Sequence, residues 1–439
     1  MDVTPWTNLV DAGLIGILLI IGAGLRAVIK PIQNMMIPAS VLAGGLGLLL
    51  GPQVLGWLPF SDQLSTYSSV LIAVVFAAVA MTDDFDIRKL NRNVAGFAAH
   101  GVLMYSLQVA LGMAVVLLVL QPLFDSPDAL GVVLFASWAG GYGTAAAMGD
   151  AFAASNPEKA SLGFTAATVG VTIGIVGGLI QARVAARKGH VQAFTSINQL
   201  PKQDRTGLIE EPSKREPIGL HTFTGSSIES LGFHASMVVM IAAAAYGLSV
   251  AIQNVWPTLT MPVFVLAFLT GLVVRAAMSK AKIVTFVDKT SLQSISGTAT
   301  DILIVAGITS IQPQVVAEFG LELLLLLVFG LILILFLGLW VAPRLMQDGW
   351  FERSIFVWGW AIGAVSTGIA LLRVVDPALK SGTLEDFGVA YLPVIPVEIT
   401  AVTFVPPPRV GRGSVGCGRH LGCHRGGRRH SRNLYREGK

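Results

Sequence analysis

The stretch LGVVLFASWAGGYGTAAAMGDAF, residues 130–152, is apolar at both ends and glycine-rich and polar in the middle. Its centre, Gly140-Gly141-Tyr142-Gly143-Thr144, places three glycines in four residues and a tyrosine among them. Each glycine inside a helix costs about 1 kcal/mol relative to alanine. A second stretch, IFVWGWAIGAVSTGIALLRVV at residues 355–375, has the same layout around Gly363-Ala364-Val365-Ser366-Thr367-Gly368. Neither suits an uninterrupted helix, and irregular backbone is not tolerated against lipid. Both read as re-entrant hairpins or broken helices buried within protein.

The rest of the chain explains why lipid enters the argument. Hydrophobic residues make up 53% and charged residues 13% of the 439 positions, whereas soluble domains carry about 25% charge. A hydrocarbon layer of about 30 Å needs about 20 apolar residues in a helix. Runs of roughly that length lie at 9–29, 37–57, 67–82, 94–120, 162–180, 231–253, 259–278, 292–311, 321–341 and 387–405, ten candidate spans. The first is preceded by Asp2 rather than a basic region, so it reads as a span and not a cleavable leader. The fold class is an all-α polytopic membrane protein.

The two broken stretches sit at equivalent places in a repeat. Gly140 to Gly363 and Thr144 to Thr367 are both separated by 223 residues. Each half then reads as four spans, a broken segment and a fifth span, and an odd number of spans inverts the second half relative to the first. The expected organisation is a first transmembrane repeat at 9–183, a cytoplasmic linker at 184–230, a second inverted repeat at 231–408 and a basic tail at 409–439. The linker holds Pro201, Pro212 and Pro217 and mixed charge, and reads as a flexible connection. The tail carries eight arginines and eight glycines and departs abruptly from the preceding composition. An altered reading frame accounts for it, with a basic surface-binding extension as the alternative.

Charge sets the orientation. Joints bearing Arg26 and Lys30, then Arg88, Lys89 and Arg92, alternate with joints bearing Asp62, or Asp125 and Asp128. The positive-inside bias puts the basic joints in the cytoplasm and both termini outside a multi-pass cell membrane protein.

Several chemistries are disfavoured. There is no phosphate-binding loop for ATP hydrolysis, the basic residues form no nucleic-acid interface, and the protein is not expected to be an enzyme or to hold an organic cofactor. Both cysteines, Cys417 and Cys423, fall in the tail. With His420 and His424 they offer ligand chemistry at a compressed spacing that preorganises no zinc site. Asp83, Asp84 and Asp86 are followed at once by Arg88 and Lys89 and read as a charged membrane edge.

The broken segments are where solute and ions would bind. Unwound backbone offers carbonyls to cations, and half-helix amino termini offer N–H groups to anions. Thr144, Ser366 and Thr367 carry hydroxyls suited to a carboxylate or a sodium ion, although such hydroxyls also bond the preceding turn. Arg373 offers a forked donor for a carboxylate, or it pairs with Asp376. Asp301, after Gly297-Thr298-Ala299-Thr300, is a carboxylate inside an apolar span and must face water, a cation or a partner. Gln108 suits an interhelical hydrogen bond.

Gly140-Gly141-Tyr142-Gly143-Thr144-Ala145-Ala146 and the stretch from Gly359 through Pro377 resemble the bacterial sodium/glutamate symporter family. The resemblance extends in layout from Leu9 to Pro408. It implies two inverted five-helix repeats with re-entrant loops, no enzymatic activity, and import of glutamate or a related acidic amino acid across the inner membrane, driven by sodium through alternating access. It places Gly141, Gly143 and Thr144 of the first break and Ser366 and Thr367 of the second at the transport site, beside Asp301 and Arg373 from the residue-level reading. Tyr142 stands where glutamate carriers typically have histidine, so another small organic anion, coupled to sodium or protons, stays open, as do a passive channel and a homodimeric state. The orientation is testable by cysteine labelling in intact cells. A cysteine replacing Asp125 should react and one replacing Lys202 should not; the opposite pattern would reverse the topology.

Overall fold

The computed structural model describes residues 4–82, 92–153, 159–191, 201–255, 263–346, 349–376, 380–391 and 393–404. The Asp83–Asp86 cluster and the 409–439 tail lie outside them. The described residues are helical, with no strand.

The first half runs through α1 (Pro5–Val28), α2 (Ala39–Leu50), α3 (Leu64–Thr82), α4 (Arg92–Phe124), α5 (Leu130–Ala139), α6 (Gly141–Ala153) and α7 (Lys159–Arg187). The second runs through α8 (Ser230–Val255), α9 (Val263–Lys280), α10 (Lys289–Thr309), α11 (Gly320–Leu345), α12 (Trp350–Ile362), α13 (Val365–Val375), α14 (Thr383–Ala390) and α15 (Val394–Phe404). Seven helices are long and apolar enough to cross a membrane: α1, α4, α7, α8, α9, α10 and α11. The chain is a multi-pass membrane protein. On α11, Leu321, Leu324, Val328, Ile332 and Phe336 are exposed along one stripe, as lipid contact requires.

Three expected spans take a different form. The run at 37–57 folds as the short α2, because Gly51 and Pro52 end the helix and a turn follows. The run at 67–82 begins earlier, at Leu64. The run at 387–405 is divided between α14, which ends at Ala390, and α15, which starts at Val394 just after Pro393, a residue without the N–H that would continue a helical ladder.

Local chemistry sets other boundaries. Thr4 and Thr7 exchange backbone-to-hydroxyl bonds of 3.2 and 3.3 Å at the start of α1, with Pro5 in the first turn, where its missing N–H costs nothing. A π turn at Val116–Leu120 in α4 lies just before Pro122, and another at Leu337–Val341 in α11 lies just before Pro343. A proline ring collides with the carbonyl four residues back, and one wider turn relieves the collision without ending the helix.

Helix α10 packs on α2 and α3, and α7 lies against both broken segments. The linker does not hang free where it is described. Its short helix Lys202–Thr206 meets α1, and the Arg26 Nε donates to the Arg205 carbonyl at 3.4 Å. Further on, the Leu220 amide donates to Asp288 at 3.0 Å, and the Ser291 amide and hydroxyl donate to the same carboxylate. Burial alone would raise that carboxyl, yet the donors hold it below its usual range.

The second broken segment is tied to α14 by a partly buried ion pair: Arg353 of α12 reaches Asp386 of α14 at 2.6 Å through Nη2, with Nε at 3.2 Å from the same oxygen. Replacing Asp386 with asparagine removes the counter-charge of the Arg353 guanidinium, which keeps its bond to the Gly349 carbonyl, and should cost about 1–3 kcal/mol of stability. The Arg353→Met, Asp386→Leu double variant should recover much of it, read as thermal stability of the purified protein in detergent.

Candidate functional site

The two breaks meet at the glycines. Gly141 has φ +67°, and a Cβ there would lie 3.2 Å from the carbonyl oxygen of Gly363. A left-handed backbone without a side chain thus lets the first break touch the second. Helix α7 passes beside both: a Cβ at Gly170 would lie 2.3 Å from the Ile362 carbonyl oxygen. Trp138 of α5 donates its indole N–H to the Ala166 carbonyl at 3.0 Å, and Trp358 of α12 donates to the Gly174 carbonyl at 2.8 Å.

The carbonyls at the ends of the first limbs have donors. The Tyr105 hydroxyl bonds the Ala139 carbonyl, and the Gln108 side-chain amide donates to the Ala361 carbonyl at 3.3 Å. Both donors come from α4. The interhelical role expected of Gln108 is therefore a bond to the edge of the second break. Gly363 and Ala364 both donate to the Gly359 carbonyl, and α13 then starts with no side-chain cap.

A cavity of about 470 Å³ opens beside α13. It is lined by Arg26 of α1, Ser40 of α2, Asp301 of α10, and Thr367 and Arg373 of α13, with Ile175 of α7 among its apolar walls. Three of the residues picked out from sequence, Asp301, Thr367 and Arg373, are thereby brought together. Asp301 is exposed, and Ser40 hydrogen-bonds its carboxylate. The nearby threonines 298 and 300 bond carbonyls one turn back instead. Asp376 accepts the amides of Lys380 at 3.0 Å and Ser381 at 2.8 Å, which commits it to the turn after α13.

Thr144 is placed elsewhere. It is buried, and its hydroxyl donates to Glu398 Oε1 at 3.1 Å. Gly143 faces α3, where a Cβ would approach Ile72 Cδ1 at 2.6 Å. Ser366 belongs to the first turn of α13, and its side chain lies outside what is described. Glu398 was within reach of sequence reasoning: it is a carboxylate inside the 387–405 apolar run, the signal that singled out Asp301. Arg26, at the membrane-edge joint, gave no sign that it faces a cavity shared with α13. Among the described residues no cluster of histidine, cysteine and carboxylate side chains forms a metal site; the tail residues Cys417, His420, Cys423 and His424 are not among them.

The arrangement presents two guanidinium groups, one carboxylate and two hydroxyls to a polar solute, with a volume in the range of small-molecule sites. Residues 8–379 match the family described as sodium/glutamate symporter. No curated protein sequence matches the chain. The meeting of the breaks gives a stability test. Gly141→Ala should cost about 1–2 kcal/mol for its left-handed backbone alone, besides displacing the Gly363 carbonyl. Gly143→Ala, opposed only by the tip of Ile72, should cost less in the same thermal measurement.

Proposed function

The chain belongs to the sodium/glutamate symporter family, and on that premise we propose that the cavity beside α13 is its solute site, loaded by sodium-coupled alternating access. The observation that carries the reading is the placement of Arg26, Arg373 and Asp301 on one cavity. An acidic amino acid has two carboxylates and one ammonium group. Two guanidiniums and one carboxylate complement it in number and sign, and a guanidinium can grip a carboxylate through two parallel bonds. Thr367 and Ser40 add hydroxyls to orient the solute, and Thr367 belongs to the first turn of a half-helix whose positive end favours an anion.

The order of helices supports an inverted repeat. Spans α1 to α4, the α5–α6 break and α7 correspond in sequence to α8 to α11, the α12–α13 break and α14–α15. The proline-linked π turns of α4 and α11 fall at matching places. Arg26 belongs to a joint assigned to the cytoplasm by charge, so the cavity corresponds to an inward-facing state. Alternating access requires a second state in which the same groups face outward, with sodium favouring one over the other. Oxygen-rich positions around Asp301 and Ser40 suit sodium, which is carried as a co-substrate.

Uptake of labelled glutamate and aspartate into proteoliposomes tests the reading. Transport should saturate and should require an inward sodium gradient; flux that neither saturates nor depends on sodium would identify a passive channel. Arg373→Lys, which keeps charge but loses the fork, should weaken apparent solute affinity by about 1–3 kcal/mol. Asp301→Asn should change the sodium concentration dependence of initial rates. Wild-type solute and sodium dependence in both variants would remove these residues from the site.

A further inference from the structure

Glu398 of α15 takes no part in the cavity, yet it is only 6% exposed in the membrane-embedded body. Thr144 donates to its Oε1 at 3.1 Å and Tyr391 donates to its Oε2 at 2.9 Å. Among the described residues no basic side chain forms an ion pair with it. Helix α4, packed on α15, brings His100, whose ring nitrogens make no bond among the described residues, and Tyr105, whose hydroxyl is engaged with Ala139. Of the charged groups on α12 and α14, Arg353 and Asp386 are paired with each other.

An ionised carboxylate has about four acceptor sites, and here two neutral hydroxyls serve them. A dry, uncompensated charge is among the costliest arrangements in a membrane protein. The neutral acid fits the same geometry without that cost. Its O–H on Oε1 can donate to the Thr144 hydroxyl, which then turns its own proton to a helix carbonyl one turn back. Tyr391 continues to donate to Oε2. The Thr144 side chain already lies over Gly140: a Cβ there would come within 2.3 Å of it. Protonation at Glu398 therefore decides whether the Thr144 hydroxyl is turned toward the last span or toward the first break.

We propose that Glu398 is a proton-binding site, separate from the solute cavity, whose occupancy is coupled to the break between α5 and α6. A proton from the aqueous phase adds to one carboxylate oxygen and takes the group from one negative charge to none. Release returns the proton to water and restores the charge; no other covalent bond forms or breaks. The link to transport rests on the carrier reading above, whereas the binding of the proton does not.

The test therefore has an arm that needs no solute. Infrared difference spectra between the wild type and Glu398→Gln, purified in lipid at neutral pH, should show a carboxylic-acid carbonyl stretch that the variant has lost. A difference consisting only of ionised-carboxylate bands would overturn the proposal. In proteoliposomes, wild-type sodium-driven uptake should vary with pH between mildly acid and mildly alkaline conditions, and Glu398→Gln should lose that variation. A variant that kept the wild-type pH profile would overturn the coupling. Should Glu398→Gln fail to fold, Tyr391→Phe removes one donor and leaves the carboxyl in place. It should shift both the acid band and the pH profile, and no change in either would also refute the site.

Discussion

A peptide group in the middle of a membrane must find a partner within the protein, since an unsatisfied one costs several kcal/mol there. The two breaks put this requirement under most strain, because each interrupts the helical ladder. The solution is assembled from α4 and α7. Tyr105 and Gln108 reach from α4 to carbonyls at the ends of the interrupted limbs, while Trp138 and Trp358 reach from those limbs to carbonyls on α7. The breaks are thus held by donors from α4 on one side and by acceptors on α7 on the other. The glycines that make them possible also let α7 and the opposite break come close enough for these bonds to form.

That scaffold separates two polar environments. On one side Arg26, Ser40, Asp301, Thr367 and Arg373 line a cavity. On the other, Thr144 donates to Glu398, whose second oxygen accepts from Tyr391. The two threonines occupy corresponding positions in sequence, yet they meet different chemistry. One lines open volume and charge, the other bonds a buried carboxyl.

The long spans were legible from sequence because length and hydropathy alone determine them, and the two breaks because glycine and hydroxyl residues interrupt otherwise apolar runs. Asp301 was legible for a different reason: a carboxylate in a span needs somewhere wet to go, and it lies at a cavity. The shortness of α2 and the division of the last span depended on Pro52 and Pro393, signals outweighed by the apolar length around them. The contribution of Arg26 was hidden, since nothing local distinguishes a membrane-edge arginine from one that lines a cavity shared with a helix more than three hundred residues away. Thr144 was marked by its place in the break, but its partner comes from the far end of the chain, and only the packing of α15 reveals it.

Among the described residues the linker between the halves is fastened by the Arg205 carbonyl on Arg26, and near α10 by the Ile218 carbonyl on Ser294 and the Leu220 amide on Asp288. The 15 residues from Arg205 to Leu220 could stretch to about 50 Å if fully extended. That reach exceeds the thickness of the hydrocarbon layer, about 30 Å. As a tether the connection is slack, and its length limits the relative shift of α1 and α10 only at about that 50 Å reach. Whatever restraint it exerts resides in the fastenings themselves, and one of them holds an arginine of the cavity wall.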